Sequence, residues 1–173
     1  MMKRQNHERA LNAFPLEGEN TMLLFDVDGV ITNPLTSMVE AEVIDAIATL
    51  LQRGEPVALN TGRGRALVME RIIAPLMERL ASPHSLHHLC LVHEKGALRT
   101  TFDALGRPEQ PIVAPGIAVP PPALRANIRA LLAHEFAQTM FPGDPKEVII
   151  SPEMRVGVDY ATFQADQQRL VTL

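Results

Sequence analysis

Cysteine is almost absent from this chain of 173 residues. The single cysteine, Cys90, excludes a disulfide framework within the chain and a cysteine-rich zinc site. Because Cys90 lies in the apolar run His88–Val92, we expect its thiol to be buried among hydrophobic side chains.

Long hydrophobic runs and an excess of basic charge are also missing. No apolar run approaches the roughly 20 residues that a helix needs to cross a bilayer, and the opening MMKRQNHERALNAF lacks the apolar centre of a secretory signal. The 16 Lys and Arg are scattered among 20 Asp and Glu, giving a net charge of −4. We therefore expect no membrane partner, no nucleic-acid partner and a cytoplasmic location.

The chain contains enough apolar residues, 46% of the total, to build the core of one ordinary domain. Periodicity predicts three short apolar strands that alternate with two amphipathic helices, the second kinked by its proline. In chain order these elements are Met22–Phe25, Ser37–Gln52, Pro56–Leu59, Arg65–Leu80 with Pro75, and Leu89–Val92. The pattern predicts an α/β fold with a Rossmann-like, three-layer parallel sheet, in which the first strand is buried on both faces.

The pattern changes after about residue 98. A proline-rich connector is predicted at Pro108–Pro122 and a helix at Leu124–Phe136, followed by a hairpin of the strands Glu147–Ile150 and Met154–Val158. Since these elements do not continue the alternation, they predict a second, smaller α+β unit. Residues 1–20 are interpreted as a flexible, polar N-terminal arm.

Polar residues follow two of the predicted strands at their carboxyl ends, where parallel sheets bind ligands. Asp26 and Asp28 end the first strand, and Asn60–Arg63 follows the second. Taken alone, the two acids could be ordinary turn residues, Thr61 could be the N-cap of the next helix, and Arg63 could be solvated. Their coincidence at one edge of the sheet favours a functional site.

The residues around these positions resemble the haloacid dehalogenase (HAD) superfamily of phosphotransferases. Phe25–Thr32, FDVDGVIT, is similar to its first motif, and Val57–Arg63, VALNTGR, to its second. Leu91–Ala97, LVHEKGA, is similar to the Glu-Asn-Gly-Ala turn of late-cap members, with Lys95 in place of Asn. Beyond the resemblance, Glu94 and Lys95 are interpreted as turn residues. The resemblance covers about Met22 to Ala97.

The resemblance implies roles for five residues. Asp26 would be the nucleophile that forms an aspartyl-phosphate, and Asp28 the general acid and then base. Thr61, Gly62 and Arg63 would bind the phosphoryl group. A Mg²⁺ ion would be held by the Asp26 side chain and the Asp28 main-chain carbonyl.

The placement of the resemblance also implies a domain organisation. From Asp28 to Thr61 there are 33 positions, which hold one helix but no cap domain. Residues 21–100 would be the HAD-like core and residues 101–173 a partial α+β cap or connector, as in the Cof, phosphomannomutase and sucrose-phosphatase group. The capless group that acts on KDO phosphate is the alternative within the superfamily.

Two later motifs of the family, a Lys and an acidic Gly-Asp motif, have no clear match. Gly143-Asp144 is the nearest candidate, but Pro145 and a predicted strand follow it where a helix should begin, and after residue 3 the only lysines are Lys95 and Lys146. The chain would then be either the first part of a longer enzyme or a divergent small member. The first alternative predicts an exposed apolar sheet edge and self-association.

The expected function is a Mg²⁺-dependent phosphatase of small phosphorylated metabolites, with sugar phosphates as the first class to consider. Two alternatives stay open on the sequence. One is a HAD-like binding module without catalysis, and the other is a phosphomutase that returns the phosphoryl group to its substrate.

Overall fold

The computed structural model describes residues 21–33 and 38–173. The predicted arm, residues 1–20, lies outside the described residues. A five-stranded sheet with the order β1-β2-β3-β4-β5 forms the centre of the fold. Its strands are β1 (Leu23–Asp26), β2 (Val57–Asn60), β3 (Leu89–His93), β4 (Leu98–Thr100) and β5 (Ile112–Val113).

The first three strands are parallel, and their register aligns the polar residues at one edge of the sheet. Asp26 lies opposite Asn60, and Asn60 lies opposite Val92. The predicted α/β fold is confirmed, with each of the three strands displaced by at most one residue from its prediction. The antiparallel strands β4 and β5 were not predicted, and they make the sheet mixed.

Helices flank this sheet and fill its core. Helix α1 (Ala41–Gln52) buries Ile44, Ile47 and Leu51 at helical spacing. Helix α2 (Arg65–Val68) continues through a wider π-helical turn, Met69–Ile73, into α3 (Ala74–Arg79). The wide turn ends two residues before Pro75, which has no amide hydrogen to continue the helical ladder. A 3₁₀ helix, Pro83–His88, leads into β3.

Strand β1 is less buried than predicted. Leu24 is 66% exposed, whereas Val57 and Leu59 of β2 are fully enclosed. Of the strands that the structure describes, only β2 pairs with β1, so the other edge of β1 has no described neighbour. Cys90 is half-buried rather than fully buried, and burial raises the pKa of its thiol.

After the sheet the chain forms α4 (Pro122–His134), a two-stranded ribbon of β6 (Met140–Pro142) and β7 (Pro152–Met154), and α5 (Tyr160–Thr172). The predicted helix at Leu124–Phe136 is confirmed within two residues at each end. A small core of its own joins these elements: Leu132, Phe136, Met140 and Phe163. Within the described part of the chain, no helix is both long and apolar enough to cross a membrane.

The predicted hairpin of Glu147–Ile150 with Met154–Val158 is wrong. Residues 147–150 are rich in β-branched side chains but form no strand. The backbone amides of Glu147, Val148 and Ile149 donate instead to the carboxylate of Glu94. A side chain 53 residues or more away therefore takes the donors that a ladder would need.

Candidate active site

Asp26 is the last residue of β1, and its side chain is exposed at the carboxyl edge of the sheet. After Asp26 the chain reverses in a tight turn, Val27–Ile31, which is closed by the Thr32 amide donating to the Val27 carbonyl at 2.9 Å. Gly29 lies in this turn at φ +78°, a left-handed conformation that glycine adopts without strain. The turn places Asp28 beside the end of β2.

Asp28 is held by two residues of the second predicted motif. The Thr61 hydroxyl donates to Asp28 Oδ2 at 2.9 Å, and Arg63 Nε donates to Asp28 Oδ1 at 2.8 Å. These partners follow Asp28 by 33 and 35 residues. The structure thus brings together Asp28, Thr61 and Arg63, as the resemblance implies.

Thr61 is buried and held on several sides. Its amide donates to the Val92 carbonyl at 2.9 Å, and its hydroxyl oxygen accepts the Arg63 amide at 3.1 Å. The next helix begins at Arg65 with Gly64 as its N-cap residue, so the interpretation of Thr61 as that N-cap is wrong. Its hydroxyl orients Asp28 instead.

Arg63 is bonded rather than freely solvated. The hydrogen bond to Asp28, together with the negative charges of Asp28, Glu153 and Asp144, raises the pKa of the Arg63 guanidinium despite an opposing effect of burial. The side chains of Arg63 and Asp28 are 35% and 42% exposed. An ion pair this open to water adds at most about 1 kcal/mol to folding, so its main effect is to orient the two groups.

Gly62 lies under Lys95, whose Cγ would stand 3.5 Å from a Cβ at position 62. The Lys95 amide donates to the Thr61 carbonyl at 3.0 Å. Lys95 therefore lies next to the Thr61–Gly64 segment, which we call the phosphate turn after the role that the sequence resemblance implies for it. Both Glu94 and Lys95 adopt left-handed φ values, of 52° and 58°, which non-glycine residues adopt only where the surrounding structure holds them.

Asp144 also contacts the phosphate turn. It accepts the Gly64 amide, and its other oxygen lies 2.9 Å from Lys146 Nζ, an ion-pair distance without hydrogen-bond alignment. Both side chains of this pair are at most 10% exposed. In the sequence, Asp144 is only the nearest candidate for a late acidic motif. No local pattern predicts its contact with Gly64.

A cavity of about 350 Å³ lies beside Asp144. Three cationic side chains and one hydroxyl contribute to its lining, namely Arg125, Arg129, Lys146 and Ser151. The guanidinium of Arg125 is hydrogen-bonded to the backbone, since it donates to the carbonyls of Lys146 and Glu147. Arg129 is exposed at the cavity, so the space has a cationic rim that suits an anionic or polyhydroxylated group.

Comparison with known proteins identifies the fold. No family model and no curated protein matches the sequence. Among solved structures, the C-terminal domain of a C. albicans trehalose-6-phosphate phosphatase is 14% identical with a TM-score of 0.58, over 96% of this chain and 53% of that one. A trehalose-6-phosphate phosphatase related protein is 12% identical with a TM-score of 0.56, over 88% and 60%.

An IMP-bound, N-terminally truncated IMP-nucleotidase of Plasmodium falciparum is 14% identical, with a TM-score of 0.51 over 91% of this chain and 47% of that one. The chain thus spans between about half and three fifths of the length of these structures. At such identities the likeness concerns the fold. The fold of this chain is that of the HAD-like hydrolases, as the two motifs at the ends of β1 and β2 predicted.

Proposed function

We propose that this protein is a Mg²⁺-dependent phosphatase of small phosphorylated metabolites, acting through an aspartyl-phosphate on Asp26. The observation that carries the proposal is the attachment of Asp28 to Thr61 and Arg63, beside Asp26. A nucleophilic carboxylate, a second carboxylate and an arginine then share one exposed edge of the sheet. These groups would supply a nucleophile, a proton donor and a positive charge for transfer of a phosphoryl group to a carboxylate.

In the first step, a carboxylate oxygen of Asp26 attacks phosphorus, and the bond from phosphorus to the leaving oxygen breaks. Asp28, in its protonated form, gives its proton to that oxygen, so the product leaves as an alcohol. In the second step, Asp28 takes a proton from water, whose oxygen attacks the aspartyl-phosphate. Inorganic phosphate leaves, Asp26 is regenerated as a carboxylate, and Asp28 is again protonated.

The phosphate turn would bind the phosphoryl oxygens. Thr61 offers its hydroxyl and Gly62 its amide, while Arg63 supplies a positive charge. In the substrate-free arrangement Thr61 and Arg63 bond to Asp28. We propose that a bound phosphoryl group competes with Asp28 for these donors, which would free Asp28 for proton transfer.

We propose that Asp26 and Asp28 would contribute to a magnesium site. The Asp26 carboxylate and the Asp28 main-chain carbonyl are oxygen donors at an exposed edge of the sheet, and Mg²⁺ is commonly held by one or two protein oxygens together with water and substrate phosphate. Among the described residues no group of three or more His, Cys, Asp or Glu side chains could hold a metal. A bound ion would offset the negative charge that Asp26 and the phosphoryl group bring together.

For the substrate, we propose a phosphate monoester with a polar leaving group, sugar phosphates being the first to test. The cavity beside Asp144 has a cationic and hydroxyl-bearing lining and adjoins the phosphate turn through the contact between Asp144 and Gly64. A trehalose-6-phosphate phosphatase, a protein related to it and an IMP-nucleotidase are among the structural neighbours. These neighbours support phosphate monoesters as a class without choosing among them.

Hydrolysis of a generic aryl phosphate, with Mg²⁺ and with EDTA, tests the proposal. We expect metal-dependent turnover that Asp26→Asn lowers by at least about a thousandfold. Asp45→Asn, a change of the same type at an exposed position of α1, is the control and should keep full activity. Turnover that survives Asp26→Asn would contradict the proposal.

A binding module without catalysis is the second candidate, because the late Lys and acidic Gly-Asp motifs of the family that the sequence resembles have no clear match in this chain. Saturable binding of inorganic phosphate without turnover in the same assay would support this alternative. Free phosphate as the product would separate the phosphatase from a phosphomutase, which returns the phosphoryl group to its substrate.

A further inference from the structure

We propose that Glu94 is a positioning residue, which fixes the phosphate turn by holding a strap across it. The strap is the segment Asp144–Ile149. The binding of phosphate by the turn rests on the proposed function. The coupling between Glu94, the strap and the turn rests on contacts in the structure.

Glu94 is a fully buried carboxylate that points into the strap. Its Oε1 accepts the amide of Glu147 at 2.5 Å, and its Oε2 accepts the amides of Val148 at 2.8 Å and Ile149 at 3.0 Å. Three consecutive amides of one segment thus converge on one carboxylate. Such charge-assisted hydrogen bonds are about twice as strong as neutral ones, so this arrangement compensates the burial of the charge.

The backbone of Glu94 is bonded to the phosphate turn at the same time. Its amide donates to the Arg63 carbonyl at 3.1 Å, and the next amide, of Lys95, donates to the Thr61 carbonyl at 3.0 Å. Glu94 therefore contacts the strap through its side chain and the turn through its main chain. A shift of the Glu94 side chain would therefore displace both the strap and the turn.

The strap also contacts the turn directly. Asp144 accepts the Gly64 amide, and Lys146 pairs with Asp144 at 2.9 Å. A Cβ at position 64 would lie 2.0 Å from the Pro145 carbonyl oxygen, so the strap lies against the bare backbone of Gly64. The turn is thus enclosed between the Glu94 backbone and Asp144, and the strap joins the two.

The substitution Glu94→Gln distinguishes a role of Glu94 in positioning the turn from a role in folding. The substitution keeps the size of the side chain but replaces one oxygen with an amide group, which would face a backbone donor of the strap. Val148 stays packed against Ala97 and Leu98, which keeps the strap attached by apolar contact. Glu147→Gln is the matched control, because Glu147 is an exposed strap residue whose side chain does not form the contacts to Glu94.

Hydrogen exchange of the backbone amides in the full chain tests the proposal. In Glu94→Gln we expect the amides of residues 147–149 to exchange at least about tenfold faster. The amides of Arg63 and Gly64 should follow, because Thr61 and Asp144 protect them. Amides of β2 and β3 should be unchanged, and Glu147→Gln should match the wild type throughout.

Two results would overturn the proposal. Faster exchange of the strap with an unchanged turn would show that the strap does not position the turn. Uniformly faster exchange of the whole sheet would show that Glu94 only stabilises the fold. Asp144→Ala releases the strap from its other end and should expose the Gly64 amide while residues 147–149 stay protected by Glu94.

Binding of inorganic phosphate and hydrolysis of the aryl phosphate, measured on the same variants, keep this proposal apart from the proposed function. If the turn binds phosphate, Glu94→Gln should raise KM several-fold more than it lowers kcat, since the catalytic carboxylates are untouched. If the wild type neither binds nor hydrolyses phosphate, the proposed function fails. The exchange pattern still decides whether Glu94 positions the turn.

Discussion

Arg63 Nε lies 2.8 Å from Asp28 Oδ1, across 35 residues of sequence. The contact follows from the parallel pairing of β1 with β2, in which Asp26 lies opposite Asn60. Each strand then ends at the same edge of the sheet, and the residues that follow each strand meet. The central feature of the candidate site is therefore a direct consequence of strand register.

Arg63→Gln should affect activity far more than stability. The pair with Asp28 is partly exposed, so its loss should cost about 1 kcal/mol or less in the free energy of unfolding. Loss of a positive charge at the phosphoryl group should lower kcat/KM for an aryl phosphate by about a hundredfold. Urea denaturation and initial rates measure the two effects. Arg107→Gln, which breaks a surface pair with Asp103, is the control and should change neither quantity appreciably.

Thr61→Val should lower both the catalytic rate and the stability of the fold. Valine keeps the shape of threonine but removes the hydroxyl that donates to Asp28 and accepts the Arg63 amide. Because Thr61 is buried, we expect a loss of about 1–3 kcal/mol in the free energy of unfolding and about a hundredfold in kcat. Thr61→Ser, which keeps the hydroxyl, should stay close to the wild type. Equal rates for the two variants would contradict the assigned role of the hydroxyl.

His93 should make stability depend on pH. It is buried, with Nε2 3.0 Å from Thr100 Oγ1, and burial lowers its pKa below the ordinary value of 6.5, although the charge of Glu94 acts the other way. Below pH 6.5 the unfolded chain binds a proton that the folded chain resists, so stability falls as pH falls, down to the lower folded pKa. Urea denaturation from pH 5 to pH 8 should show this slope.

The slope attributed to His93 should shrink in His93→Gln and persist in His134→Gln, a change at an exposed histidine. An identical pH dependence in all three proteins would show that His93 is not its source.

Much of this arrangement could be predicted because it depends on local patterns. The apolar runs before Asp26 and Asn60 specify β1 and β2, and parallel pairing then places Asp28 near Thr61. The same reasoning located α1 from the spacing of its buried residues. The roles of Asp26 and Asp28 in catalysis and metal binding stay predictions.

Other features depend on contacts between distant residues that no local pattern encodes. Residues 147–150 have the composition of a strand, yet Glu94 takes their amides and β7 begins only at Pro152. Likewise, the segment after β3 folds back as β4 because Glu94 and Lys95 adopt left-handed conformations, which their residue types do not predict. The outer face of β1 is exposed because nothing described covers it.

The edge of β1 that has no neighbour among the described residues should make the protein self-associate. Leu24 of β1 and Met22 just before it are 66% and 53% exposed, and β1 has one described neighbour. Unpaired strand edges with apolar side chains recruit further strands. We expect the sedimentation coefficient to rise with concentration up to tens of micromolar, and Leu24→Lys to abolish the rise. Val156→Lys, at a fully exposed valine elsewhere, should not. A wild-type monomer over the whole range would contradict this prediction.

Peptide mapping by mass spectrometry after an acid quench would show whether Asp26 carries the phosphoryl group. The chain is mixed with an aryl phosphate and Mg²⁺, quenched within the first turnover, and digested. We expect the peptide containing Asp26 to gain the mass of one phosphoryl group in the wild type and to show no such gain in Asp26→Asn. Turnover without this adduct, or an adduct that persists in Asp26→Asn, would contradict the role of Asp26 as the nucleophile.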